Sequence, residues 1–336
     1  MRTALPLCLL SLLPLPLMAA TTVAPVAAAA PAAVNQGCKL LKASGYTYQL
    51  AKTGATDAGL ATLLGEQGEG YAVVSAVTDK DDGNRDAGLV WHSGDELIIA
   101  FRGTTADTTD SAKQMLSVED WLNDADYAPR TDPQLGQVHG GFKAAFDNVW
   151  PGLVQQIKTW QAAGKITPAT RVYVTGHSKG GALAMLAALK LKADKLLPVT
   201  EVDTFGSPRV GGTDFAAKYA AAGINGLRYE NDQDLVPHVP LNSLEIALVP
   251  LLRRVIDIKG SPSGDYVSVG KLRYIDEDGG IVAPADAAGE ADLERSRLTG
   301  FGSLVFDSPQ DIADTIIGAH SIGPGSGYYG AVCGTR

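Results

Sequence analysis

The run Gly176-His177-Ser178-Lys179-Gly180 sits between two strongly patterned stretches. Before it comes a β-branched and aromatic run, Arg171-Val172-Tyr173-Val174-Thr175; after it comes an Ala/Leu run, Gly181-Ala182-Leu183-Ala184-Met185-Leu186-Ala187-Ala188-Leu189. Strand, tight turn and helix in that order predict an α/β fold, with a largely parallel central sheet flanked by helices. The turn reads G-x-S-x-G. Its sharpness leaves no room for a Cβ at the flanking positions, and it lifts the Ser178 hydroxyl above the sheet edge at a helix N-terminus. That arrangement points to a nucleophilic serine.

Composition narrows the class. The chain has 336 residues, 45% of them hydrophobic, and a formal net charge of −9. The acidic balance argues against a nucleic-acid partner. Residues 1–20 read as an export signal: Arg2 at the start, an apolar run over 5–17 broken by Pro6, Pro14 and Pro16, then Met18-Ala19-Ala20 for cleavage. The run is too short and too proline-rich to span a membrane. Residues 21–37, Ala/Pro-rich, are expected to be a linker or pro-segment. Residues 38–336 are then one α/β domain, secreted or periplasmic, and expected to be a monomer.

Of three cysteines, Cys8 leaves with the signal. Cys38 and Cys333 stand near opposite ends of the mature chain, and an exported compartment favours their pairing.

Along the chain, residues 39–77 read as helical, 79–86 as a polar turn, and 87–92 and 96–101 as two strands joined by a hairpin at Ser93-Gly94-Asp95. Residues 104–126 form a long polar connection containing Met115, Leu116, Val118, Trp121 and Leu122. Such a long connection in a compact domain is usually functional or disordered. A helix follows over 141–160, then strand and helix around Ser178. Further on, 201–206 is a strand, 214–222 a helix and 226–229 a strand. Residues 241–256 suggest an interrupted helix, 266–269 and 272–275 two antiparallel strands, 276–297 an acidic surface excursion, and 311–317 a last helix.

Ser178 needs a base and an orienting acid, which in this architecture follow it in the order acid, then histidine. Of five histidines, only His238 and His320 come after Ser178. His320, in the Gly/Ser-rich run Gly318-Ala319-His320-Ser321-Ile322-Gly323, is taken as the base. His238 lies only four residues beyond Asp234 and is read as structural; His177 is read as pointing away from the serine. Asp234, in the loop after the 226–229 strand, is the preferred acid, with Asp232 and Asp203 as alternatives. Two N–H donors are needed for an oxyanion. Lys179, directly after the serine, supplies one. Thr104, in Arg102-Gly103-Thr104-Thr105 after the 96–101 strand, supplies the other.

With these residues placed, the chain resembles the class 3 lipase family, α/β-hydrolases that include fungal triacylglycerol lipases and plant phospholipase A1-type enzymes. The resemblance rests on Phe101-Arg102-Gly103-Thr104, Asp120-Trp121-Leu122-Asn123-Asp124, Val138-His139-Gly140-Gly141-Phe142 and the serine turn. It continues through Thr204-Phe205-Gly206-Ser207-Pro208-Arg209-Val210-Gly211 and Asn231-Asp232-Gln233-Asp234-Leu235-Val236-Pro237-His238. It implies an α/β-hydrolase fold, a Ser178–Asp234–His320 triad, an oxyanion hole at Thr104 and Lys179, and a lid over about 105–126. Cys38 and Cys333 also fall where some members tie their termini together. A small helix packed on the core is the other reading of the apolar residues in that segment.

Lys179 departs from the family, which usually has an apolar residue there. A cation at a helix N-terminus is disfavoured. Its ammonium is expected to reach Glu119 or Asp120 in the lid region, or an anionic substrate group. The reading is a secreted serine ester hydrolase, a lipase or carboxylesterase on acylglycerols at a lipid–water interface, without metal or organic cofactor. A phospholipase A1 or feruloyl-type esterase is the alternative, and a non-catalytic lipid-binding relative is the reading from another class.

Overall fold

The computed structural model describes residues 31–50, 62, 73–78, 86–105, 129–240, 266–301 and 309–334. Among these, ten strands form two sheets. They are β1 (Val73–Thr78), β2 (Ala87–Ser93), β3 (Glu96–Phe101), β4 (Pro129–Asp132), β5 (Gly136–His139), β6 (Arg171–His177), β7 (Val199–Phe205), β8 (Gly226–Asn231), β9 (Lys271–Ile275) and β10 (Ile281–Val282). The large sheet runs β1-β2-β3-β6-β7-β8-β9-β10, and β4 pairs with β5 alone. From β3 to β9 every pairing is parallel; β1–β2, β2–β3 and β9–β10 are antiparallel.

Seven helices are described: α1 (Pro31–Tyr46), α2 (Gly140–Ala162), α3 (Lys179–Ala193), α4 (Thr213–Ala221), α5 (Ala287–Phe301), α6 (Pro309–His320) and α7 (Gly327–Cys333). They cover both faces of the large sheet, so its central strands are apolar on both sides rather than alternating with polar residues. Successive residues of β3 show this: Leu97, Ile99 and Phe101 enter one core with Phe142, Phe146 and Leu153 of α2 and Leu183 of α3. Ile98 and Ala100 enter the other, with Leu40 and Leu41 of α1 and Tyr328 and Val332 of α7. Helix α3 is buried nearly all round, as a helix apolar on every side must be.

Cys38 and Cys333 are joined, with Cα atoms 4.8 Å apart, so the bridge staples α1 to α7. It closes a loop of 295 residues.

Residues 31–37, within the stretch expected to be a linker or pro-segment, form the start of α1. Four local expectations fail. Residues 73–77, expected to be helical, belong to β1 (Val73–Thr78), paired with β2, as their Val content favours. Residues 266–269 are not a strand beside 272–275; Val267 makes an isolated bridge to Gly211, and β9 pairs with β8 and β10. The 276–297 excursion contains β10 and most of α5, whose Arg297 is buried. His320 closes α6 rather than lying in a loop, because Ala313 and Ile316 bury one face of that helix. Helix α7 was not foreseen at all. Residues 1–20 and 241–256 lie outside the described residues.

Candidate active site

The residues of the site collect at the carboxyl edge of the parallel strands, where ligands bind in open α/β sheets. Ser178 follows β6, Thr104 follows β3, and Asp234 follows β8. Lys179 opens α3 and His320 ends α6.

Ser178 has φ 57° and ψ −134°, a backbone state that costs a non-glycine residue energy and that the surroundings must hold. They do so at close quarters. A Cβ on Gly176 would overlap the carbonyl of Gly180, so glycine is required for the turn to close. The Ser178 N–H donates to the Phe205 carbonyl at 3.0 Å. Lys179 is the first residue of α3, so its N–H is one of the helix's orphan donors.

His320 Nδ1 lies 2.8 Å from Oδ2 and 3.0 Å from Oδ1 of Asp234. The ionised carboxylate only accepts, so Nδ1 carries the proton and Nε2 of the neutral ring is an acceptor. Nε2 is buried and has no hydrogen-bond partner among the described residues. Asp234 is fully buried and also accepts from the Tyr328 hydroxyl at 2.7 Å and from the Val236 N–H at 3.0 Å. Burial pushes its carboxyl upward, but adjacent His320 and the Tyr328 and Val236 donors outweigh that and hold it below the usual carboxylate range.

The other acids lie elsewhere. Asp232 accepts from the Tyr274 hydroxyl. Asp203 is buried in β7, where burial first and Glu201 second push its carboxyl well above the usual range. His238 is buried, its Nδ1 3.7 Å from Glu294.

His177 does not point away from the site. Its Nε2 lies 2.7 Å from the His320 carbonyl and its Nδ1 2.7 Å from the Tyr48 hydroxyl. A carbonyl cannot donate, so Nε2 carries the hydrogen and Tyr48 donates to Nδ1. The two imidazoles sit 4.4 Å apart. Burial, then the charge of His320, push His177 down to about 3, so it stays neutral.

The Lys179 ammonium is buried and pairs with Asp86 at 2.6 Å. Asp86 stands immediately before β2, at the same sheet edge. Met115, Leu116, Val118, Trp121 and Leu122 lie outside the described residues, as do Glu119 and Asp120. Thr104 is half-buried at the end of the loop after β3.

Residues 98–244 match the sequence model of the lipase (class 3) family. Over that span the chain is similar to the class 3 lipase family. The matched segment holds Thr104, Ser178, Lys179 and Asp234, while His320 lies beyond it and is brought in by geometry. A lipase of Rhizomucor miehei is 33% identical over 149 residues, 43% of this chain and 37% of that protein. The secreted mono- and diacylglycerol lipase A of Penicillium cyclopium is 30% identical over 190 residues, 56% of this chain and 55% of that protein. The chain thus spans between about a third and about half of the length of these curated relatives. The solved Rhizomucor miehei lipase–propeptide complex covers 76% of this chain and 72% of its own, at 22% identity and a TM-score of 0.54. The matched segment therefore lies within an α/β-hydrolase fold.

Sequence reasoning missed three partners of the site: Asp86 for Lys179, Tyr48 for His177, and Tyr328 for Asp234. The first stood in a segment read only as a turn. The other two lie in stretches with no chemical motif, and no local pattern singles them out.

Proposed function

We propose that this protein is a secreted serine ester hydrolase acting on acylglycerols, with Ser178 as nucleophile, His320 as general base and Asp234 as the acid that orients it. The observation that carries the reading is His320, tied through Nδ1 to a buried carboxylate while Nε2 presents an unpartnered lone pair. The names of the relatives, lipase and secreted mono- and diacylglycerol lipase, support the substrate class and the export.

In this mechanism Ser178 attacks the ester carbonyl as His320 Nε2 takes its proton. The N–H groups of Lys179 and Thr104 receive the charge that develops on the carbonyl oxygen. Collapse breaks the ester C–O bond, and His320 returns the proton to the leaving alcohol. Water, deprotonated by His320, then attacks the acyl-serine and releases the fatty acid. Asp234 stabilises the imidazolium in both halves. The apolar residues of the 105–126 segment are assigned to the acyl chain and the lipid interface.

Hydrolysis of p-nitrophenyl butyrate and palmitate by the mature protein, beside Ser178→Ala, tests the reading. Activity on one or both esters that disappears in Ser178→Ala supports it. A folded wild type inactive on both, with or without a lipid interface, or a Ser178→Ala variant that keeps its rate, contradicts it.

A further inference from the structure

We infer that Asp86 and Lys179 form a buried clamp that sets the spacing of the two oxyanion donors, which makes Asp86 a positioning residue for the reaction. The inference rests on the ester-hydrolase reading above and adds to it a residue that no sequence motif marks.

The two donors belong to different segments, the loop after β3 and the first turn of α3. Their separation is set where those segments touch. On one side the contact is backbone against backbone. A Cβ on Gly180 would overlap the Phe101 carbonyl, and one on Gly103 would come within 2.8 Å of the His177 carbonyl and 3.0 Å of the Ser178 Cβ. On that side the β3–β6 pairing, which runs to Phe101 and Gly176, and Tyr48, which meets both His177 and Gly103, also hold the segments. On the other side stands the ion pair. Asp86 is tied to the donor loop, because the neighbouring Ala87 carbonyl accepts the Arg102 N–H at 2.9 Å. Its carboxylate reaches Lys179 Nζ at 2.6 Å through Oδ1, and takes a hydrogen bond from Asn148 Nδ2 of α2 at 3.2 Å through Oδ2. The anion also faces buried Arg102, whose guanidinium it favours. A line of contacts thus runs from the β3 loop through Asp86 to the residue whose N–H follows the nucleophile.

The location is costly. The side chains are 7% and 6% exposed, and the cation sits at a helix N-terminus, where the dipole opposes it. Any residue but proline at position 179 would supply the N–H. The pair therefore calls for a role beyond that donor, and directional restraint across the hole is the role its geometry offers.

The test compares wild type with Lys179→Met, Asp86→Asn and the double variant, each normalised to active sites counted by diethyl p-nitrophenyl phosphate. Misplaced donors should lower kcat per site about 10- to 100-fold with KM within about twofold. Affinity for an alkylboronic acid should fall in step with kcat/KM, and the double variant should be no worse than the poorer single one. A purely structural pair would lower the melting temperature and the number of titrated sites but leave kcat per site within about twofold of wild type, and that result overturns the inference. Should a charge-removing variant yield no folded protein, Asp86→Glu decides. It keeps the charge and moves the carboxylate by one methylene, and the clamp predicts a roughly 5- to 20-fold loss in kcat with KM held, whereas an unchanged kcat overturns it. A wild type that neither hydrolyses esters nor takes the phosphate reagent would instead sink the ester-hydrolase reading.

Discussion

The backbone carbonyl of His320 accepts a 2.7 Å hydrogen bond from Nε2 of His177, the residue directly before Ser178. The proposed nucleophile and base are thereby joined through their neighbours as well as through the reaction. Tyr48 extends the tie by donating to the other nitrogen of His177, and accepts from the Gly103 N–H beside the proposed oxyanion donor.

Tyr48→Phe removes one link of that chain and leaves the His177 acceptor buried without it. An unmade buried hydrogen bond costs about 1–3 kcal/mol. The expected outcome is a loss of that size in a urea melt, together with a several-fold drop in kcat and little change in KM.

His177 also shapes acid stability. Its folded pKa, about 3, is depressed below the ordinary value of 6.5. As pH falls below about 6.5 the unfolded chain takes up a proton that the folded one refuses, so stability is lost towards pH 3 and regained as pH rises. Stability measured by urea melts from pH 7 to pH 4 should fall less steeply for His177→Gln than for wild type. An identical slope would show that the imidazole is not held neutral.

Tyr328→Phe strips a donor from Asp234 and an acceptor from the Asn231 N–H. The carboxylate is held low in part by that hydroxyl, so its pKa rises. The predicted result is a destabilisation of about 1–3 kcal/mol and a severalfold lower kcat, read by denaturant titration and steady-state kinetics.

The disulfide acts on the same residue at a distance. Helix α7 carries both Cys333 and Tyr328. Opening a loop of this size costs about 6 kcal/mol in the chain-entropy model. Cys38→Ser should therefore lower the melting temperature, and near that temperature activity should fall before the sheet unfolds, as α7 releases Asp234. Circular dichroism and ester hydrolysis followed on one temperature ramp would show the gap.

The serine turn was legible because everything that defines it is local: a strand, two glycines and a helix within about twenty residues. Asp234 was legible through its place after a strand, and the β2–β3 hairpin through Gly94. What supports them was not. Tyr48 meets His177 across 129 residues, Lys179 meets Asp86 across 93, and Tyr328 meets Asp234 across 94. No periodicity encodes such pairings. Residues 73–77 were misread for a different reason: a short apolar run fits helix or strand until tertiary packing chooses one. Charge alone could not reveal α5, because the burial of Arg297 depends on Glu230 sixty-seven residues away.

The most direct test of the account is covalent labelling by diethyl p-nitrophenyl phosphate, with phenolate release counted and the modified peptide identified by mass spectrometry. The account predicts a single equivalent, located on Ser178, with ester hydrolysis lost in proportion to labelling and neither seen in Ser178→Ala. An ester-hydrolysing protein that takes no label, or takes it on another residue while Ser178 stays free, would contradict it.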